Sequence, residues 1–241
     1  RLGQPSSIDP LVDALDDAMR EVIVLGRGIG FRAKPGDTID PEAVQKIFRL
    51  DDSAHGGRLA QLQLRLNLAG LAHVRGDARR AIVLFRTVRD DAADAGDMWT
   101  ESLAWHGLGV AALDLDDRHE ARRCLGRARV GLQRAGHAVW VSVANAWMAV
   151  VDHAEGDHNG ALESLHAART AGGAEHEPTA VLLALVTARI EADAARWQAA
   201  CERADALAPT SSSTRVALRV LRSAGPLADV DGGPVLDRER V

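Results

Sequence analysis

The chain of 241 residues is 46% hydrophobic and carries a net charge of −5, which allows a sizeable core and argues against broad, non-specific affinity for nucleic acid. Cys124 and Cys201 stand alone, so neither a disulfide framework nor a paired-cysteine zinc site is indicated. No secretory signal and no apolar run long enough for a membrane-spanning helix appears, and a cytoplasmic protein is the expectation.

In chain order, the first informative stretch runs from Glu21 to Phe48. Val22-Ile23-Val24-Leu25 is short and β-branched enough for a buried strand. Gly26, Gly28 and Gly30 alternate with Arg27 and Ile29, a spacing that lets another backbone or a ligand come close. Pro35-Gly36-Asp37 is a turn signal, and Asp40-Pro41 reads as an N-cap followed by proline at the first position of a short helix. The glycine order is G-x-G-x-G, and Pro35-Gly36 falls where a phosphate-binding helix would run. A dinucleotide fold therefore fails, and the chain holds no P-loop motif.

Residues 1–58 contain eight basic and ten acidic side chains, a net charge of −2. Any affinity for RNA must then come from a local patch of Arg27, Arg32 and Lys34.

The residues Glu21, Ile23, Val24, Gly26-Arg27-Gly28-Ile29-Gly30-Phe31, Lys34, Gly36-Asp37, Ile39, Val44 and Lys46-Ile47-Phe48 resemble the co-antiterminator RNA-binding domain of the BglG/SacY family of bacterial transcription antiterminators. The resemblance covers roughly residues 11–50. It implies a small antiparallel β domain at residues 1–55 that dimerises and binds an RNA hairpin, with Gly26, Arg27 and Phe31 on the RNA-facing surface and Phe31 stacking on a base. Ile8-Asp9-Pro10 stands where the family has an Asn-rich turn. There aspartate repels phosphate and proline removes a backbone donor. Arg1 in place of methionine suggests a processed product or a fragment.

His55-Gly56-Gly57 marks a boundary, and from Leu59 alanine, leucine and arginine recur at helical spacing. Ala81, Ala121, Ala161 and Ala200 are separated by 40, 40 and 39 residues, a solenoid signature. Trp105, Leu108, Gly109 and Ala121 resemble the tetratricopeptide pattern, with a period longer than the ~34 residues usual for it. Longer helices or loops would account for the difference, and HEAT-like helix pairs are the structural alternative. Gly76-Asp77 and Gly156-Asp157 end one helix and cap the next. The fold class expected is mostly α: the β domain, then about four helix pairs over 59–208, then a capping helix at Thr214–Arg222. A tail rich in glycine, proline and aspartate completes the 209–241 segment and is expected to be disordered.

No serine or cysteine has a nucleophile's context, His119-Glu120 lacks a second metal-ligand histidine, and His153 and His158 flank a turn. No catalytic residue, metal or cofactor is expected. The first helices of the repeats place Gln63, Leu66 and His73, then His106, Val110 and Asp114, then Val150 and His153 on one face, a groove suited to a peptide or small apolar ligand. The alternative is that these histidines are scattered surface or inter-helix residues. The five tryptophans, at 99, 105, 140, 147 and 197, are expected mostly in packing. The functional expectation is a dimeric, antiterminator-type regulator with an RNA hairpin at one end and a protein or ligand on the repeats. A non-enzymatic scaffold without RNA binding is the alternative.

Overall fold

The computed structural model describes residues 54–173 and 175–223. The chain divides into two compact units, Arg1–Asn67 and Leu68–Val241. The expected β domain and the tail beyond residue 223 lie outside the described residues.

Of the first unit, the described part is the opening of helix α1 (Ala54–Val74), in which Leu62 and Leu66 are buried. The second unit continues with the end of α1 and then α2 (Ala78–Asp94), α3 (Met98–Asp114), α4 (Arg118–Arg134), α5 (Ala138–Ala154), α6 (His158–Ala171), α7 (Glu177–Ile190), α8 (Ala194–Leu207) and α9 (Ser212–Ser223). From α2 to α8, helices adjacent in sequence pack on one another, with short links that reverse the chain.

The repeat is finer than the alanine spacing implies. Helices α2 to α5 are each 17 residues long and each is followed by a three-residue turn, giving a 20-residue module and a 40-residue pair. Longer helices therefore explain the long period. Every turn is built alike. Gly76, Gly96, Gly136 and Gly156 take positive φ, with Asp116 (φ 57°) in the same place after α3. The next residue sends its N–H back to the previous helix, as in Asp77 N to Ala72 O (3.0 Å), Asp97 N to Ala92 O (2.9 Å) and Asp157 N to Asp152 O (2.9 Å). That same aspartate then caps the following helix: Asp77 accepts from Arg80 N (3.0 Å), Asp97 from Thr100 N (3.2 Å), Asp117 from Glu120 N (3.0 Å) and Asp157 from Gly160 N (2.9 Å). At the fourth turn, between α4 and α5, His137 occupies the position and makes no side-chain cap.

Small residues set the distance between helices. A Cβ on Gly107 of α3 would run into the Phe85 ring of α2, and one on Gly109 would stand 2.6 Å from Leu125 Cγ of α4. Ala81, Ala121 and Ala161 are fully buried, and Ala200 is nearly so. The helices α3, α5 and α7 are buried nearly all round, whereas α2, α4 and α6 bury one stripe each. The former are interior helices and the latter face solvent.

The last third departs from the pattern. Helices α6, α7 and α8 shorten to 14 residues, and the link after α6 turns through Gly172 (φ 107°) and Gly173 (φ 90°). Helix α9 buries Thr214, Val216, Ala217, Leu218, Val220 and Leu221 against α7 and α8, and also touches α3. It covers apolar surface at the end of the array.

Candidate nucleic-acid and partner interfaces

The candidate RNA-contacting residues Gly26, Arg27, Phe31 and Arg32 lie outside the described residues. The expected groove residues do not. Gln63 is half-buried, with its amide 3.5 Å from Asn67 Oδ1.

In the second unit, the structure joins His73 to Asp114, with Nε2 3.2 Å from Oδ2. A third residue completes the group. Arg219 of α9 donates to the same Asp114 oxygen through Nη2 (2.8 Å) and Nε (3.2 Å), and through Nη1 to the carbonyl oxygen of Val74 (3.0 Å). The guanidinium thus sits where α1 and α3 end, countering the partial negative charge of their last carbonyls. His73 is 3% exposed. Burial holds its pKa below the usual imidazole value, Arg219 lowers it further, and Asp114 opposes both. The neutral ring is the form that packs here.

His106, on α3, is half-buried and edge-on to Trp140 at 5.4 Å between ring centroids. Its Nε2 is buried with no hydrogen-bond partner among the described residues. Burial first, and His73 second, push its pKa down to about 4. His153 is also half-buried, its pKa lowered by burial, then by Arg189 and His158. Val110 and Val150 are buried in the core, so they are unavailable as groove surface.

A second polar group ties α4, α5 and α6 together. Asp152 of α5 is 4% exposed, takes Arg122 Nη2 at 2.7 Å and accepts from Ser164 Oγ at 2.6 Å. Arg122 also reaches Glu155 at 2.6 Å.

Trp105 and Trp147 are core residues, 7% and 3% exposed, while Trp99, Trp140 and Trp197 are half-buried. Trp105 donates Nε1–H to Glu101 (3.1 Å), and Arg89, Arg123 and Arg127 lie 4.7, 5.4 and 5.0 Å from its ring centroid. His137 stacks on Trp99 at 3.8 Å.

Both cysteines are buried. Burial, and then Glu120, push the Cys124 thiol up to about 12, and burial raises Cys201 as well. Neither is a thiolate at neutral pH. Among the described residues no group of three His, Cys, Asp or Glu side chains is placed to hold a metal ion, and no helix is long and apolar enough to cross a membrane.

Sequence reasoning placed His73 and Asp114 on a common face but missed Arg219, 105 positions beyond Asp114. Its basic character on an amphipathic helix was visible, and its target was not.

Comparison with known proteins bears on the segment ahead of the helices. Residues 11–56 match the family described as CAT RNA binding domain. A beta-glucoside operon antiterminator of Dickeya chrysanthemi is 38% identical over 58 residues, which is 24% of this chain and 20% of that protein. The match thus spans one fifth of the relative's length. No solved structure matches.

Proposed function

We propose, from the CAT RNA binding domain at residues 11–56, that this chain is a transcription regulator of the antiterminator type. Its N-terminal domain binds an RNA hairpin as a homodimer, in the cytoplasm. Gly26 and Gly28 leave Arg27 projecting, Arg32 adds a second guanidinium for phosphate, and Phe31 stacks on an unpaired base. The single observation that carries this reading is the family match, supported by the named antiterminator relative.

The helical array, read as tetratricopeptide-like, is its protein or peptide interaction surface. The 40-residue helix pair and the small residues at Gly107, Gly109 and Ala121 support that reading. His106 and His153, half-buried on interior helices, are the groove residues a partner would meet. His73 and Asp114 belong to the same expected groove but are already engaged with each other, and Asp114 with Arg219 as well.

A second reading is favoured by one observation, the net charge of −2 over residues 1–58 together with Ile8-Asp9-Pro10. In it the chain is a non-enzymatic scaffold whose first segment does not bind RNA.

The deciding experiment is fluorescence anisotropy of the full chain against a pool of short RNA hairpins at two salt concentrations, beside Arg27→Ala and Phe31→Ala. Saturable, hairpin-selective binding is expected. Arg27→Ala should weaken it about tenfold or more with a shallower salt dependence, and Phe31→Ala should weaken it with the salt dependence unchanged. Folded protein that binds no hairpin, or binds equally in all three forms, would leave the scaffold reading.

A further inference from the structure

Helices α6, α7 and α8 border an open cleft of about 390 Å³, lined by Arg169, Thr187, Arg196, Arg203 and the alanines at 184, 199 and 200. Three guanidinium groups on one small cleft repel one another and need counter-charge. Among the described residues, only one of them receives it. Arg196 is paired with Glu191 and, through Nε at 3.2 Å, with Asp193.

Arg169 is held differently. Its Nη2 donates to the Thr187 hydroxyl at 2.8 Å, while that hydroxyl donates to Leu183 O at 2.6 Å. A neutral oxygen fixes the direction of the guanidinium without neutralising it, and its other donors have no partner among the described residues. Arg203 forms no hydrogen bond or ion pair with the described residues. Their own helices offer none either. The positions three and four away from Arg169 hold Leu165, His166, Gly172 and Gly173, and those around Arg203 hold Ala199, Ala200, Ala206 and Leu207. Other arginines do find carboxylates, as Arg123 with Glu120 on its own helix and Arg222 of α9 with Asp205 of α8.

We propose that this cleft binds a small organic oxyanion, a phosphate ester or carboxylate with a compact apolar body. The anionic head lies between Arg169 and Arg203, whose planar forks suit two oxygens each. The apolar body rests on the alanine floor, where small side chains leave the volume unfilled. The cleft's volume falls in the range of small-ligand sites and is too small for a folded partner. This proposal is independent of whether residues 11–56 bind RNA.

The test is isothermal titration of the full chain with phenyl phosphate, phenylacetate and inorganic phosphate, at constant ionic strength set with chloride. The variants are Arg169→Gln with Arg203→Gln, Ala199→Met to fill the floor, and Arg134→Gln as a distant control. All four substituted residues are exposed, so the variants should keep the parent melting temperature. Saturable 1:1 binding is expected, stronger for the aromatic anions than for inorganic phosphate. The double variant should weaken it about tenfold or more, and Ala199→Met should weaken the aromatic anions selectively. Preference between phenyl phosphate and phenylacetate tells which head group the site takes. The idea is overturned by the absence of saturable binding, by equal weakening in Arg134→Gln, or by binding of an RNA hairpin to this cleft in place of the small anions.

Discussion

The stretch from α2 to α5 and the stretch from α6 to α9 are built from the same parts with different discipline. In the first, four 17-residue helices follow one another through turns of one design. In the second, helices shorten to 14 and then 12 residues, and the link after α6 opens through two glycines. Regularity in the first stretch fills its helix interfaces, down to ring-on-glycine contact between Phe85 and Gly107. The departures in the second leave the arginine-lined cleft and bring α9 to the ends of α1 and α3. The lesson is that a strict repeat makes a stable surface, and its interruptions are where binding and closure can be placed.

The largest effect is expected at the join between the stretches. Asp114→Ala removes the carboxylate shared by His73 and Arg219 and leaves both without their charged partner. Breaking a buried pair costs about 3–5 kcal/mol, and the partial exposure of Arg219 lowers the expectation here to about 2 kcal/mol. Urea denaturation should show the midpoint fall without a change in slope. If Arg219→Ala and Asp114→Ala proved additive, the two residues would not be coupled.

Next comes the regular stretch itself. Gly107→Ala places a methyl group in the Phe85 ring. Overpacking of about 1–3 kcal/mol is offset by about 1 kcal/mol of helix propensity, so a net loss of about 1 kcal/mol is expected. Pairing it with Phe85→Leu should recover part of that loss in the same melting assay.

A pH effect follows from His106. Its folded pKa of about 4 lies below the free value of 6.5, so the unfolded chain binds more protons between the two. Its contribution is therefore complete above about pH 6.5 and is lost as pH falls toward 4, and His73 shifts in the same direction. Melting temperatures at pH 7 and pH 5 should differ less in His106→Phe than in the parent. An unchanged difference would assign the slope to other groups.

The smallest effect is a gain. Ala192 sits at φ 52° in the turn after α7, the place that glycine holds after α2, α4 and α5. Ala192→Gly should stabilise by about 1 kcal/mol, and Asp116→Gly, at the equivalent turn after α3, by less, because aspartate tolerates that conformation better. Equal gains at both turns would mean that the alanine carries no extra strain.

The helical part was legible in proportion to how local its determinants are. Gly76-Asp77 and Gly156-Asp157 announce turns through three residues of sequence, and the alanine spacing announces the pairing of helices. The 20-residue module was equally legible in Gly96-Asp97, which repeats the same signal 20 residues after Gly76-Asp77. Two features were not legible. The role of Arg219 depends on α9 returning to residues 74 and 114, and the cleft depends on how three shortened helices diverge. No spacing within one helix encodes either. Of the sites named from sequence, His73 and Asp114 do meet each other. The four RNA-contacting candidates rest on the glycine–arginine–phenylalanine run at 26–31 and the basic Arg32 beside it.

Arg219 also changes how this array should come apart. A stack of helices held only by nearest neighbours frays from its free end, one module at a time. Here the last helix is fastened to Val74 and Asp114, near the other end of the same unit. The C-terminal helix therefore loses its independence: it cannot peel away without uncovering the ends of α1 and α3. Amide protons at the end of α1 and in α9 should then exchange as one cooperative block, with a shared opening free energy that collapses when the guanidinium is removed.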